Sequence, residues 1–259
     1  MKILISCVAS ALALSAVSGA FAAEASKANV YRVFNDTVAP AEQDAYEAGV
    51  KAYNQCLHDH GFKYTWGAWN HETGDTYRYS YVAGPYTWAD FDTMHTSGKA
   101  CDATWHKQAN PHLKSEGSAF MVSHPDMSHM PKDSDKAPPP ALIGVVLFHV
   151  KNGHEAHEAF TDAVKKIASA ADKSNWSGHF QTDEINYGDD GSPDYLVLLP
   201  NKDWADVGAM ANPPLWKMME NVYGKTEAAA IRKSLNDAIE KSSSHIDSYN
   251  ADLTYTAAK

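Results

Sequence analysis

The chain has 259 residues and a formal net charge of −10 at pH 7. That acidity repels phosphate backbones and argues against a nucleic-acid partner. Beyond the first residues no stretch approaches the roughly 20 apolar residues of a membrane-spanning helix, and no CxxC redox motif is present.

In chain order, residues 1–22 read as a secretory signal. Lys2 comes first, then an apolar run from Ile3 to Val17, then small residues ending Ala20-Phe21-Ala22, with cleavage expected near Ala22/Ala23. Cys7 follows Leu4-Ile5-Ser6, but too few residues precede it for a lipid-attachment site. The protein is therefore expected in the periplasm or outside the cell. Val30 to Phe34 is a short β-type run. Pro40-Ala41 opens a helix to about His60, with Ala45, Tyr46, Gly49, Val50, Tyr53 and Leu57 on one face. Phe62 to Asn70 and Tyr77 to Val82 are β-prone, separated by the turn Gly74-Asp75. Thr87 with Asp90 resembles a capping box for a second helix to about Gln108, and Ala119 to Ser123 is a final short strand.

Residues 124–140 change character, with His124, Met127, His129 and Met130 followed by Pro138-Pro139-Pro140; they read as a linker. The second half then repeats the order. Leu142 to Val150 is an apolar strand and Gly153 to about Lys173 a helix. Gly178 to Ile185 and Tyr195 to Leu199 are strands around a second Gly-Asp turn, Gly188-Asp189. Helical pieces break near Pro213-Pro214 and Gly224, and Ser244 to Tyr255 holds the last strand. Trp88-Ala89-Asp90 with Met94 recurs as Trp204-Ala205-Asp206 with Met210, and Ala45-Tyr46 with Val50-Lys51 recurs as Ala159-Phe160 with Val164-Lys165. The Trp-Ala-Asp stretches are read as capped helix starts rather than chemistry.

The expected fold class is α+β, with two tandem ferredoxin-like (βαββαβ) units at 23–123 and 141–259 turning their bare sheet faces toward each other. This element order resembles the dimeric α/β-barrel superfamily in a fused, pseudo-symmetric form. That superfamily includes antibiotic-biosynthesis-type monooxygenases, NIPSNAP-like proteins, and haem proteins related to chlorite dismutase and dye-decolourising peroxidase. The resemblance rests on element order; the haem signature of dye-decolourising peroxidases is absent, and no functional residue is carried over. A fused barrel implies a monomer or a homodimer.

Cys56 and Cys101 form an even pair once residues 1–22 are removed, and in an oxidising compartment they are expected to form a disulfide, two buried free thiols being the alternative. His154 and His157 are spaced i, i+3, not the i, i+4 of a zinc-protease helix. His124 and His129 with their neighbouring methionines are the other weak metal candidates; no metal is expected. For a ligand site, Arg32, Arg78, His149 and His179, with Trp66, Trp69, Tyr77 and Tyr79, are expected on strands around a cavity. The leading expectation is a protein binding a small, partly apolar ligand between the two sheets. The alternatives are an oxidoreductase, haem-dependent or cofactor-free, and an interaction module with a solid core. Haem would need an axial ligand from His149, His154, His157 or His179.

Overall fold

Along Val30–Val38 the buried positions are Val30, Val33, Asp36 and Val38, a strand with both faces covered. A computed structural model describes residues 28–257, so the expected signal at 1–22 and Cys7 lie outside the described residues. The first half runs β1 Val30–Val38, α1 Gln43–Asp59, β2 Trp66–His71, β3 Arg78–Tyr86, α2 Trp88–Gly98, α3 Asp102–Gln108 and β4 Leu113–Ser123. The second runs β5 Leu142–Val150, α4 His154–Ser174, β6 Gln181–Tyr187, β7 Tyr195–Asn201, α5 Trp204–Gly208, α6 Leu215–Tyr223, α7 Lys225–Ala238 and β8 Ile239–Tyr255.

The eight strands close into an antiparallel barrel in the order β1-β3-β2-β8-β5-β7-β6-β4. Two seams join the halves. Trp66–His71 pairs with the end of β8, and Phe120–Ser123 pairs with β6. Closure removes the free strand edges. Alternation along each strand then sets an inner and an outer face. Val33, Ala119, Met121 and Leu196 meet inside the barrel, with Val82, Leu147 and Leu198 packed against them, so that part of the interior is filled by side chains.

The helices cover the outer face. In the second half α4 is amphipathic: Phe160 and Val164 pack on Val150 and Tyr195, and Ala163, Ile167 and Ala171 pack against Met218 and Met219 of α6 and Ile231 of α7. In the first half Tyr46 and Val50 of α1 pack on Tyr79, Tyr81 and Leu253. Where α1 crosses α3 the backbones touch: a Cβ on Gly49 would sit 2.1 Å from the Gln108 carbonyl oxygen. Gly49→Ala must therefore push the helices apart. We expect a loss of about 1–3 kcal/mol, as for other overpacked sites, seen as a lower urea midpoint. An unchanged midpoint would mean that the crossing relaxes freely.

Both Trp-Ala-Asp stretches start helices. Thr87 and Asp90 form a reciprocal capping box, and the Asp206 amide donates to the Asp203 carboxylate at 2.8 Å. Trp88 packs on Phe120 of β4, whereas Trp204 is 54% exposed. The helix expected from Trp88 to Gln108 is broken by a tight turn at Lys99–Cys101, which Gly98 precedes. Cys101 is joined there to Cys56 of α1, Cα to Cα 5.8 Å. The segment after β4 is packed onto the second half: Met127 is 1% exposed, and His129 and Phe180 exchange backbone hydrogen bonds. No helix among the described residues is long and apolar enough to cross a membrane.

Candidate functional site

The principal cavity, about 370 Å³, lies between the outer face of the first half's sheet and its helices. Its position follows from strand alternation. Val33 points into the barrel, so Arg32, Phe34 and Asp36 of β1 point toward the helices and line the cavity. Trp66 of β2 and Tyr81 and Ala83 of β3 continue the floor, and Tyr53, Phe91 and Trp105 form walls from α1, α2 and α3. Tyr53 packs on Trp66 and on Trp105 with ring centroids 6.1 and 5.4 Å away. The space exists because α2 and α3 contribute no buried residue, whereas in the second half Met218 and Met219 of α6 are buried against α4.

Asp36 is the chemical centre of the floor. It is 0% exposed, and its Oδ1 has no hydrogen-bond partner. The Tyr46 hydroxyl lies 2.5 Å from Asp36 Oδ2 and 2.9 Å from the Tyr81 hydroxyl. Burial pushes the Asp36 carboxyl up to about 7, against the pull of the Tyr46 hydrogen bond. Glu116, directly opposite Asp36 in the β1–β4 ladder, raises it further. A phenol has one proton, so Tyr46 donates to one neighbour at a time. With Asp36 ionised, Tyr46 donates to the carboxylate; with Asp36 protonated, the carboxyl donates to Tyr46 and Tyr46 donates to Tyr81. The three groups can therefore take up a proton without moving heavy atoms.

Arg32 supplies the positive end. Its guanidinium lies 4.4 Å from the Phe34 ring centroid and 5.1 Å from that of Phe120, and its Nε is buried without a partner. Burial pulls it below the ordinary arginine range while Glu116 opposes that shift. A cation over aromatic faces and, four residues along the same strand, a partly protonated carboxyl line one aromatic cavity, which suits a flat molecule with an acidic proton and a developing negative charge.

Of the residues singled out from the sequence, Arg32 and Trp66 line this cavity. Tyr79 is buried beside it, its ring 5.1 Å from Tyr46 and its hydroxyl donating to Glu47. Tyr77 and Arg78 are exposed at the start of β3. Trp69 lies against Tyr249, His149 stands opposite Lys241 near the end of β5, and His179 stacks on His129. Asp36, Tyr46, Tyr81 and Glu116 were missed. A partial signal existed: reading every second residue from Arg32 gives Phe34 and then Asp36, an acid just beyond the β-type run Val30 to Phe34.

The weak metal candidates each meet a carboxylate instead. His124 pairs with Glu184 at 2.8 Å, His129 with Asp172 at 2.6 Å, His154 with Glu158 at 3.1 Å, and His157 with Asp194 at 3.9 Å. Cys56, His60 and Cys101 lie close enough to share an ion, but both sulfurs are spent in the disulfide. A histidine-ligated haem needs an imidazole aimed into an open cavity. None of His149, His154, His157 and His179 lines the cavity, and the helix–sheet space of their half is filled. These four histidines offer the cavity no axial ligand; the imidazoles on its wall are His95 and His106.

No protein-family model matches the chain, and no curated protein does. Solved structures share its fold. An anthrone oxidase-like protein superposes with a TM-score of 0.54 at 10% identity, covering 89% of this chain and 94% of that one. A mutant chlorite dismutase from Candidatus Nitrospira defluvii, in complex with cyanide, gives 0.53 at 12% identity, covering 86% and 92%. A proposed monooxygenase from Lactobacillus acidophilus NCFM gives 0.52 at 9% identity, covering 88% and 95%. At such identities the likeness is one of fold, and the fold is of the dimeric α/β-barrel type.

Proposed function

We propose that this chain binds a small, flat, partly apolar molecule in the helix–sheet cavity of its first half, and that Asp36 removes a proton from it. The reading makes the protein a cofactor-free oxidoreductase: the substrate's carbanion or its phenolate form, held near Arg32, is oxidised by dioxygen with formation of a C–O bond, and the peroxide takes the proton back from Asp36 and loses water to leave a carbonyl. The observation that carries it is the unpartnered Oδ1 of a fully buried Asp36 on the floor of an aromatic cavity. A general base works best with a pKa near the operating pH, and burial has moved this carboxyl to about 7. The fold neighbours described as an anthrone oxidase-like protein and a proposed monooxygenase are in keeping with it.

Three broader features belong to the same reading. Each half has its strands side by side in matching order, β4-β1-β3-β2 and β8-β5-β7-β6, which supports a duplicated ferredoxin-like unit. The signal-like residues 1–22 and the Cys56–Cys101 disulfide support export to an oxidising compartment. A barrel closed within one chain is compatible with a monomer as well as a homodimer.

Anthrone, a tricyclic carbon acid, is the probe. With it, the wild type is expected to consume dioxygen and to show saturable quenching of Trp66 and Trp105 fluorescence. Asp36→Asn should keep the quenching and lose about 10²–10⁴-fold in turnover, the usual worth of a positioned base. Equal turnover in the variant would remove Asp36 from the chemistry, and unsaturable quenching would remove the cavity as the binding site.

A further inference from the structure

The seam between β2 and β8 carries a second group of polar side chains, on the other face of the sheet from the cavity. Trp69 and His71 alternate along β2, and His71 is paired in register with Asp247 of β8. Two residues earlier, His245 is paired with Val145 of β5. The His71 and His245 rings stack with centroids 4.4 Å apart and planes 12° from parallel. Asp247 is 6% exposed, and its Oδ1 has no hydrogen-bond partner although it lies 3.4 Å from His245 Nε2 and 3.7 Å from His71 Nε2.

Those separations are long for an N–H···O hydrogen bond, whose usual range is about 2.7–3.2 Å. Two donors each about 2.0–2.1 Å from a tetrahedral zinc stand roughly 3.3–3.4 Å apart; His245 Nε2 and Asp247 Oδ1 already do, and His71 Nε2 is a few tenths of an ångström further off. The His71 and His245 nitrogens and an Asp247 oxygen all lie within 4.8 Å of one another. A supporting group is at hand. Ser80 Oγ is 3.0 Å from His71 Nε2 and donates its own proton to Asn35 Oδ1 at 2.7 Å, so without an ion it accepts from the His71 Nε2–H, and metal binding would move that proton to Nδ1. A buried carboxylate oxygen without a partner is costly, and a cation held between these groups removes the cost.

We infer that His71, His245 and Asp247 bind a divalent zinc-type metal ion inside the barrel, with Ser80 positioning His71 and a water in the fourth place. Two imidazoles and a carboxylate make a borderline nitrogen–oxygen donor set that suits zinc and its neighbours over calcium or magnesium. The ion would be structural. His71 comes from the first half and His245 and Asp247 from the second, so it would staple the seam that closes the barrel.

The test is calorimetric titration of the EDTA-stripped, disulfide-intact chain with zinc sulfate, paired with thermal unfolding with and without zinc. One zinc per chain and a rise of several degrees in Tm are expected. Asp247→Asn, nearly isosteric, and His245→Ala should weaken binding by more than about 100-fold. Ser80→Ala should fall within the 10–100-fold typical of a supporting group. His154→Ala, at the exposed His154–Glu158 pair, should change nothing. Zinc binding of equal strength in Asp247→Asn, or a wild type whose Tm ignores zinc, would overturn the site. If Asp247→Asn fails to fold, the wild-type stoichiometry and Tm shift still decide, and cobalt(II) in place of zinc should give the intense visible bands of a tetrahedral ion.

Discussion

Asp36→Asn should make the protein more stable at pH 8 and leave its stability nearly unchanged at pH 4. Asp36 has an unfolded pKa of about 3.9 and a folded one raised by burial to about 7. Between those values the folded state holds a proton that the unfolded state has released, so stability falls as pH rises through this window and levels off above it. A shift of roughly 3 units corresponds to about 4 kcal/mol as an upper figure. Asparagine keeps the volume, never ionises, and offers an N–H to the Tyr46 hydroxyl, which then donates to Tyr81. Urea unfolding of both proteins at pH 4, 6 and 8 gives the measurement. The gap between them should open with pH, and a gap that stays constant or favours the wild type would mean that Asp36 is not strained by its charge. Turnover should move the opposite way, rising in the wild type as pH passes about 7 and the base ionises. A residue that weakens the fold where it would act is the usual mark of a working site.

The architecture was legible because it is written in local signals. The alternation on β3, the amphipathic faces of α1 and α4, and the capping residues Thr87 and Asp203 are all short-range patterns, and with Cys7 assigned to the expected signal, Cys56 and Cys101 left one possible pair. The cavity was less legible. Arg32 and Trp66 stood out as large polar or aromatic residues in β-type runs, but Asp36 sat beyond the expected end of its strand, which continues to Val38 only because β3 and β4 pair with it on both sides. Which alternation faces helices and which faces the barrel is a tertiary matter. Leu196, Met121 and Val33 fill part of the interior, so the principal open volume lies under α2 and α3. His71 is far in sequence from His245 and Asp247, and only the β2–β8 register brings it to them.

Removing the disulfide should act on that same volume. The bond closes a separation of 45 residues, for which chain entropy predicts about 4 kcal/mol, a large share of the 5–15 kcal/mol that holds a typical domain. The loss should concentrate at the cavity wall. α2 has no buried side chain of its own, while Cys101 at its end is fully buried against Leu57, Phe62 and Met94. Without the bond, α2 is held mainly by the Thr87 cap and by Phe91 and Trp88 against Phe120. Cys56→Ser/Cys101→Ser is therefore expected to unfold at lower urea, to be cut by trypsin at Lys99 before any other site, and to lose at least tenfold in affinity for a cavity ligand. The barrel seams lie on other strands, so the far-ultraviolet spectrum of the native protein should be kept. Protease resistance at Lys99 equal to the wild type would show that helix packing alone secures the wall. A loss of stability with binding intact would confine the bond's role to the unfolded chain.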